Sequence, residues 1–482
     1  MNQLLSNIIK LSTGSIAVKI IGIVSLSIYT RIFAPEELAL LPVYVFLTDF
    51  ALVAFAFGVL PTFIKHLPGH IKKDIEVARG FCHQIATIFM LGVVLSICVY
   101  FIFLSQIQSF LTSRGFIVES IEVLAIGFFI GAIIRLTQYM MWAGANYNND
   151  IKCSITGALL RPILAIIMLN MLGPGYFIHA IIMADLFVAI LGVFFCRHLL
   201  FGPTKKVYTL KGIVKMSAPF SVETYVNFGR KEGDTFFVSL LGATELAIYH
   251  VAKTFINALL SMFQNVQKVI TQKMAEINEE ASELYQITAK LLSLLSPFMS
   301  FGVMAFAPLF VMVIAPPEYS EAALYGFLLA FTLHLTFLRM PSDRLLFTTA
   351  DPIYRLYISS IEAFSLIGLM LLLVSDHELM GIVVAKYIAG FITLVMSLFF
   401  LARVKNISHS ITFYIWPSFI ALVASCLIFS GIYGRSDTGD WIVFGLGCFV
   451  LLDYAVICYL LNRDFVDNKI RVLVKKLSSS KN

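Results

Sequence analysis

The stretch "NFGRKEGDTFFVSLLG" at 227–242 sets Arg230, Lys231, Glu232 and Asp234 within five positions, between long apolar runs. On a helix at 100° per residue, Glu223, Asn227, Arg230 and Asp234 fall within about 60° of one another, with Lys231 at the edge of the stripe and Glu232 nearly opposite. Arg and Lys side chains can hold an anion. A guanidinium suits pyrophosphate because it offers forked donors and keeps its charge. Carboxylates such as Glu223 and Asp234 can carry a proton or a cation. A plainer reading pairs Arg230 with Asp234 at i, i+4 and leaves both as bundle glue.

Other charges sit in comparable surroundings. Arg135 and the i, i+4 pair Arg339 and Asp343 lie deep in apolar runs, and Arg31 closes the first run. With Glu223, Asn227, Arg230, Lys231 and Asp234 they make up the candidate cavity lining. His334 is either a proton-sensitive group or a hydrogen-bonded interior histidine. Glu223, Asp234 and His334 are the candidates for ion coupling. Lys19, Asp49, Arg161, Asp185, Lys253, Glu362, Lys386 and Asp453 lie nearer the ends of their runs, from which long cationic side chains can snorkel.

The chain that must position these residues is greasy. Of its 482 residues, 59% are hydrophobic and 13% are charged, with mean hydropathy +0.88. A soluble protein is nearer a quarter charged. An intramembrane charge costs at least ~2.5–3.5 kcal/mol on insertion scales, so it normally faces protein or water. The composition therefore points to an all-α polytopic membrane protein. At roughly 20 apolar residues per span, the runs give about fourteen helices, from 13–33 to 441–461, with 216–241 as the seventh. The first run is long, carries Lys19 and Arg31, and lacks an A-x-A end, so it reads as a span and not a cleavable signal. Seven cysteines show no CxxC spacing and read as small apolar residues, with no metal site.

Loop charge gives an orientation. Lys65, Lys72, Lys73 and Arg79, then Arg197, Lys205, Lys206, Lys211 and Lys215, then Lys268 and Lys273, then Arg403 and Lys405, alternate with short neutral or acidic turns such as "APEE" at 34–37 and "GATE" at 242–245. Arg114 and Arg435 are the basic exceptions on the acidic side. The positive-inside rule puts the basic set and both termini in the cytoplasm, which demands an even number of spans.

The chain repeats itself. At a constant offset of 208, Glu37 meets Glu245, Leu38 meets Leu246 and Ala39 meets Ala247, in both copies across a tight turn. Six spans separate the copies, so the halves share one orientation, as parallel repeats about an axis along the membrane normal. The expected organisation is a six-helix lobe over 1–205, a second over 206–403, and two further spans with a basic tail over 404–482. A cavity is expected between the bundles.

"YTRIFAPEELALLPVY" near the start and "DTFFVSLLGATELAIYHVAKTF" at the start of the second half resemble the motifs of the bacterial oligosaccharide flippases, which translocate O-antigen and capsule repeat units. These belong, with multidrug extruders and lipid II flippases, to one superfamily of exporters. The first stretch resembles the family's arginine–two-residue–(G/A)-P-E-E turn, and the second its Asp, apolar run, Leu-Gly, then Ile-Tyr-x-x-Ala pattern. Leu38 and Ala39 replace the usual small–aromatic pair. The phenylalanine-rich and Arg-Arg signature of lipid II flippases is absent from the first helices.

The resemblance implies a non-enzymatic flippase of the bacterial inner membrane working by alternating access. Its substrate would be an undecaprenyl-pyrophosphate-linked oligosaccharide. Membrane lipid, a polysaccharide polymerase and a chain-length regulator are the implied partners, with no nucleic acid. No cofactor is expected beyond a proton or sodium gradient. The alternative on the same fold is a cation-coupled drug or metabolite antiporter, whose cationic substrates would favour an acidic, aromatic-lined cavity. The mixed and basic charges here favour an anion. A membrane-embedded glycosyltransferase or polymerase would need a catalytic loop, and the turns on the acidic side are too short for one.

Overall fold

The computed structural model describes residues 2–56, 58–117, 121–144, 146–205, 208–258, 260, 281–349, 352–405, 452, 454 and 456. These residues are helical throughout, apart from turns and short connections. The helices are α1 (Asn2–Ile32), α2 (Pro35–Leu38), α3 (Leu40–Ala54), α4 (Pro61–Lys73), α5 (Ile75–Ile102), α6 (Leu104–Ser113), α7 (Leu124–Ala143), α8 (Tyr147–Leu172), α9 (Phe177–Leu200), α10 (Leu210–Leu241), α11 (243–258), α12 (Ala281–Ile314), α13 (Glu321–Thr349) and α14 (Pro352–Lys405).

Eight stretches among the described residues are long and apolar enough to cross a membrane, the last being the 49 residues Leu356–Val404. At 1.5 Å per residue that stretch is more than twice a hydrocarbon core. It folds back at Glu378, which has φ 48° and ψ −132°. The turn coincides with the "SDHE" break at 375–378, so α14 supplies two of the expected spans. α1 and α10, of 31 and 32 residues, are also long enough to span but carry more charge. The expected span 411–433, all of 441–461 except 452, 454 and 456, and the part of the expected span 246–271 beyond 258, residue 260 apart, lie outside the described residues.

The ends of these helices follow from their residues. Pro35 occupies the first turn of α2, where its missing N–H costs nothing, and Glu37 accepts from the Ala34 N–H at 3.0 Å. Asp74 caps α5 by accepting from the Glu76 N–H at 2.9 Å. Thr209 caps α10 through the Gly212 N–H at 3.2 Å. The segment 65–73, expected as a polar break, is instead the body of α4. Phe63 and Leu67 are buried one turn apart, and that period outweighs the charges on the opposite face.

The described chain divides into two compact units. In Thr13–His250 the core forms where α4, α5, α7 and α9 meet, around Phe63, Phe81, Ile85, Phe89 and Met140. α10 packs along α3 and α4. Phe46 and Phe50 stand 5.6 and 5.8 Å from the Phe228 ring, Tyr225 donates to the Ala54 carbonyl at 2.8 Å, and the Lys65 ammonium sits 5.7 Å above the Phe220 ring. Gly58, at φ 60°, admits the α10 backbone at Phe220 and Ser221, where any Cβ would collide. In the other unit, Met1–Ser12 with Val251–Asn482, α12, α13 and α14 pack around Tyr285, Leu345, Leu346 and Leu401.

A candidate substrate-path site

The polar stripe of α10 meets a charge pair on its neighbours. Arg135 of α7 donates to Asp49 of α3 at 2.7 Å, with side chains 43% and 25% exposed. Glu232 adds its charge to the field at Arg135. The ammonium of Lys231 feels Arg230, Arg135, Asp49 and Glu232. Glu223 reaches the surroundings of Tyr139, one turn along α7 from Arg135. Arg135, Arg230 and Lys231, with Asp49 and Glu232, thus lie within one another's electrostatic reach on three helices, and Glu223 reaches the Tyr139 part of the same region. Asn227 is half-buried on the same face of α10. Glu232, opposite the stripe by helical geometry, still lies within the electrostatic field at Arg135.

Asp234 does something different. It is 2% exposed, and Tyr249 of α11 donates to its Oδ2 at 2.7 Å. Its Oδ1 accepts from the Thr235 N–H at 2.7 Å, and the Thr235 hydroxyl lies 3.3 Å from Glu232 Oε2. Asp234 is therefore a buried tie between α10 and α11 and not an open wall. Asp234 and Tyr249 are the acid and the tyrosine of the motif in "DTFFVSLLGATELAIYHVAKTF".

Arg161 and Asp185, which the sequence places near the ends of their runs, form a second polar node. Arg161 of α8 grips Asp185 of α9 through Nε at 2.9 Å and Nη2 at 2.7 Å, and Tyr44 of α3 donates to the other Asp185 oxygen at 3.1 Å. Asp185 is buried. A carboxylate removed from water needs such donors to stay charged.

In the other unit, Arg339 pairs with Asp343 at 2.9 Å and with Glu362 of α14 at 2.9 Å, and Ser397 donates to Asp343 at 2.8 Å. The pair at 339 and 343 thereby pins α13 to both arms of α14. His334 is fully buried, with Nδ1 2.9 Å from the Ser296 hydroxyl. Arg31 is exposed in the last turn of α1, beside the 34–37 turn. Asp49 lies nine residues into α3 from Leu40, ~14 Å further along the axis, so Arg31 stands at another depth.

The ends of the first unit are held in contrasting ways. At the turn end, the Thr244 hydroxyl donates to Glu36 at 3.0 Å across 208 positions. At the offset of 208 each of these residues is the other's counterpart in the sequence. At the opposite end, the segments 201–205 and 208–209 are strapped to α4 and α5. Lys205 reaches Asp74 at 2.9 Å and Glu76 at 2.8 Å, and Gln84 and the Tyr208 backbone exchange two hydrogen bonds of 2.6 and 3.2 Å. Gly80 lets the Lys205 carbonyl lie directly on α5. The Lys205 ammonium, with the Glu76 N–H, holds the Asp74 carboxyl below its ordinary range, while the Glu76 and Asp74 carboxylates raise Lys205. Burial lowers His66 and His70 on α4. Among the described residues no group of three or more His, Cys, Asp or Glu side chains is placed to hold a metal.

Solved structures share this architecture. The lipid II flippase MurJ in an inward closed conformation matches with a TM-score of 0.71 at 17% identity, over 95% of this chain and 100% of that one. An inward-facing multidrug resistance MATE family transporter of the MOP superfamily gives 0.63 at 16% identity, over 81% and 96%. A MOP superfamily transporter from Pyrococcus furiosus, described as having a binding pocket of reversed polarity, gives 0.55 at 16% identity, over 83% and 96%. At such identities the likeness is one of fold, and it makes this chain a multi-pass membrane protein of that fold. No curated protein matches the chain in sequence. The sequence model of a family described as polysaccharide biosynthesis protein does match, over residues 28–324, which takes in both copies of the repeated turn and the whole charged group on α3, α7 and α10. On that match the chain belongs to the polysaccharide biosynthesis protein family.

Proposed function

We propose that this protein is a flippase of the bacterial inner membrane. It would move a polyprenyl-pyrophosphate-linked oligosaccharide repeat unit, for O-antigen or capsule assembly, from the inner to the outer leaflet by alternating access. The observation that carries the reading is the half-open group of Arg135, Arg230 and Lys231 on two helices of one unit, accompanied by Asp49, Glu223 and Glu232. Three cations at membrane depth fit a pyrophosphate head group. The interspersed carboxylates keep the cations hydrated and paired when no substrate is present. The loop charges support an arrangement with both termini in the cytoplasm.

The two halves of the repeat, 1–205 and 206–403, would rock against each other while the prenyl tail stays in lipid. A proton or sodium gradient would drive the cycle, with Glu223, Asp234 and His334 as the groups able to answer it. Polymerase and chain-length regulator would act on the product in the outer leaflet.

Arg135→Ala and Arg230→Ala test this. Each variant should sharply lower surface glycan at unchanged protein level, while the lipid-linked repeat unit accumulates on the inner leaflet. Normal glycan in both variants would remove the cavity assignment. Drug sensitivity in a deletion strain with intact glycan would instead favour an antiporter.

A further inference from the structure

A cavity of about 360 Å³ lies between α3, α6 and α10, lined on the α10 side by Thr235, Phe236 and Ser239. Its walls are hydrocarbon, chiefly Phe46, Phe103, Ile107, Phe110, Leu111 and Phe236. The few polar members are already satisfied. The Ser239 hydroxyl donates to the Phe236 carbonyl at 2.6 Å, Thr235 turns to the carboxylates, and Gln106 accepts from Ser105 at 2.9 Å. Nothing in the cavity calls for water, and an apolar cavity without polar partners stays dry. Two of its walls, Phe103 and Phe236, are 52% and 42% exposed, so the cavity opens outward at membrane depth.

We infer that this cavity binds one acyl chain of a bilayer glycerophospholipid, with the lipid phosphate held by Arg114. The volume falls in the lower part of the range of small-molecule sites, about 300–1,000 Å³, and suits part of a single chain. Phe46 stands eight residues from Leu38, ~12 Å below the turn, within reach of a chain whose head group sits at the surface. Arg114 follows the lining residue Leu111 by three positions, one turn nearer the surface on the same side of α6. It is exposed, and its carbonyl is fixed to the Ala243 N–H at 3.0 Å, so its backbone does not drift. This residue breaks the charge rule on the acidic side of the chain, and a lipid phosphate gives it a partner. Bulk phospholipid is preferred to a polyprenyl chain as occupant because it is in large excess in the bilayer, and occupancy follows mass action. The site is independent of the transported substrate.

The test uses the full chain released from native membranes in mild detergent and weighed intact by native mass spectrometry. The wild type should retain glycerophospholipid. Arg114→Gln should lower the retained fraction about fivefold, as expected for one basic contact at the surface, and Arg114→Lys should restore most of it. Ile107→Trp fills the cavity and should abolish retention. Should that variant fail to fold, the exposed Arg114→Gln decides. A glycerophospholipid carrying a diazirine on its acyl chain should label peptides spanning 103–111 or 235–239 in the wild type more strongly than a diazirine-bearing polyprenyl phosphate. Equal retention in wild type and Arg114→Gln, or labelling by the polyprenyl probe as strong as by the phospholipid, overturns the assignment.

Discussion

The charges of this protein divide by what surrounds each carboxylate. Asp49 is a quarter open and shares its cation with the α10 group, whereas Asp185 and Asp234 are buried and each takes a tyrosine hydroxyl as well. A buried carboxylate stripped of its partner is costly, and the cost exceeds the net worth of the pair. Arg161→Ala should therefore destabilise the protein by about 3–5 kcal/mol, and adding Asp185→Asn should recover part of the loss. Thermal melting of the single and double variants in one detergent checks this, and a double variant no more stable than the single one would refute it. The opposite charges that pair across helices could have been matched by depth. Arg161 and Asp185 lie about equally far from the 173–175 turn, and Arg339 and Glu362 each lie 10 residues from the break that the sequence shows at 349–352. Asp49, Arg161, Asp185 and Glu362 read as end-of-run charges along each run alone, because the partner of each lies on another helix.

At the scale of elements, the strap holds Lys205 and Tyr208 against α5 just before Thr209 caps α10. Asp74 has two tasks there, capping α5 and pairing with Lys205. Asn can cap as well as Asp, so Asp74→Asn should loosen the strap less than Asp74→Ala. Hydrogen exchange at the Lys205 and Tyr208 amides, both hydrogen-bonded in the strap, reports the order, and equal exchange in the two variants would deny the cap a role. The pH dependence has a defined sign. Asp74 is lowered, so its contribution is complete above about pH 4 and is lost as pH falls through its folded value. Lys205 is raised, so its contribution is complete below about pH 10 and is lost as pH rises through its folded value. His66 and His70 are lowered, so α4 loses stability as pH falls below about 6.5. The first loosening on acidification should come from the α4 side, well before Asp74 is protonated. Salt should weaken the exposed Lys205 pairs more than the Gln84–Tyr208 bonds.

For the molecule as a whole, the contact of Glu36 with Thr244 is the most informative. On the proposed alternating-access cycle, the two turns that this bond joins are expected to part when that end opens. Glu36→Cys with Thr244→Cys, joined by a short thiol-reactive linker, should stop the appearance of lipid-linked substrate in the outer leaflet, and cleaving the linker should restore it. Unimpaired flipping in the linked protein would show that the two turns stay together throughout the cycle. The sequence by itself determined the class of the protein, its helical spans among the described residues, the turn at 375–378 and the repeat at offset 208. These are legible because each depends on a local quantity: apolar run length, loop composition or residue identity along the chain. Only the tertiary structure decided which stripe residues share a site. Helical geometry put Glu223, Asn227, Arg230 and Asp234 on one face and set Glu232 apart. Packing instead gave Asp234 to Tyr249 of α11 and left Glu232 within the electrostatic field of Arg135. A helix fixes the angle between its own side chains, but what each side chain meets depends on neighbours distant in sequence, and no local pattern records them.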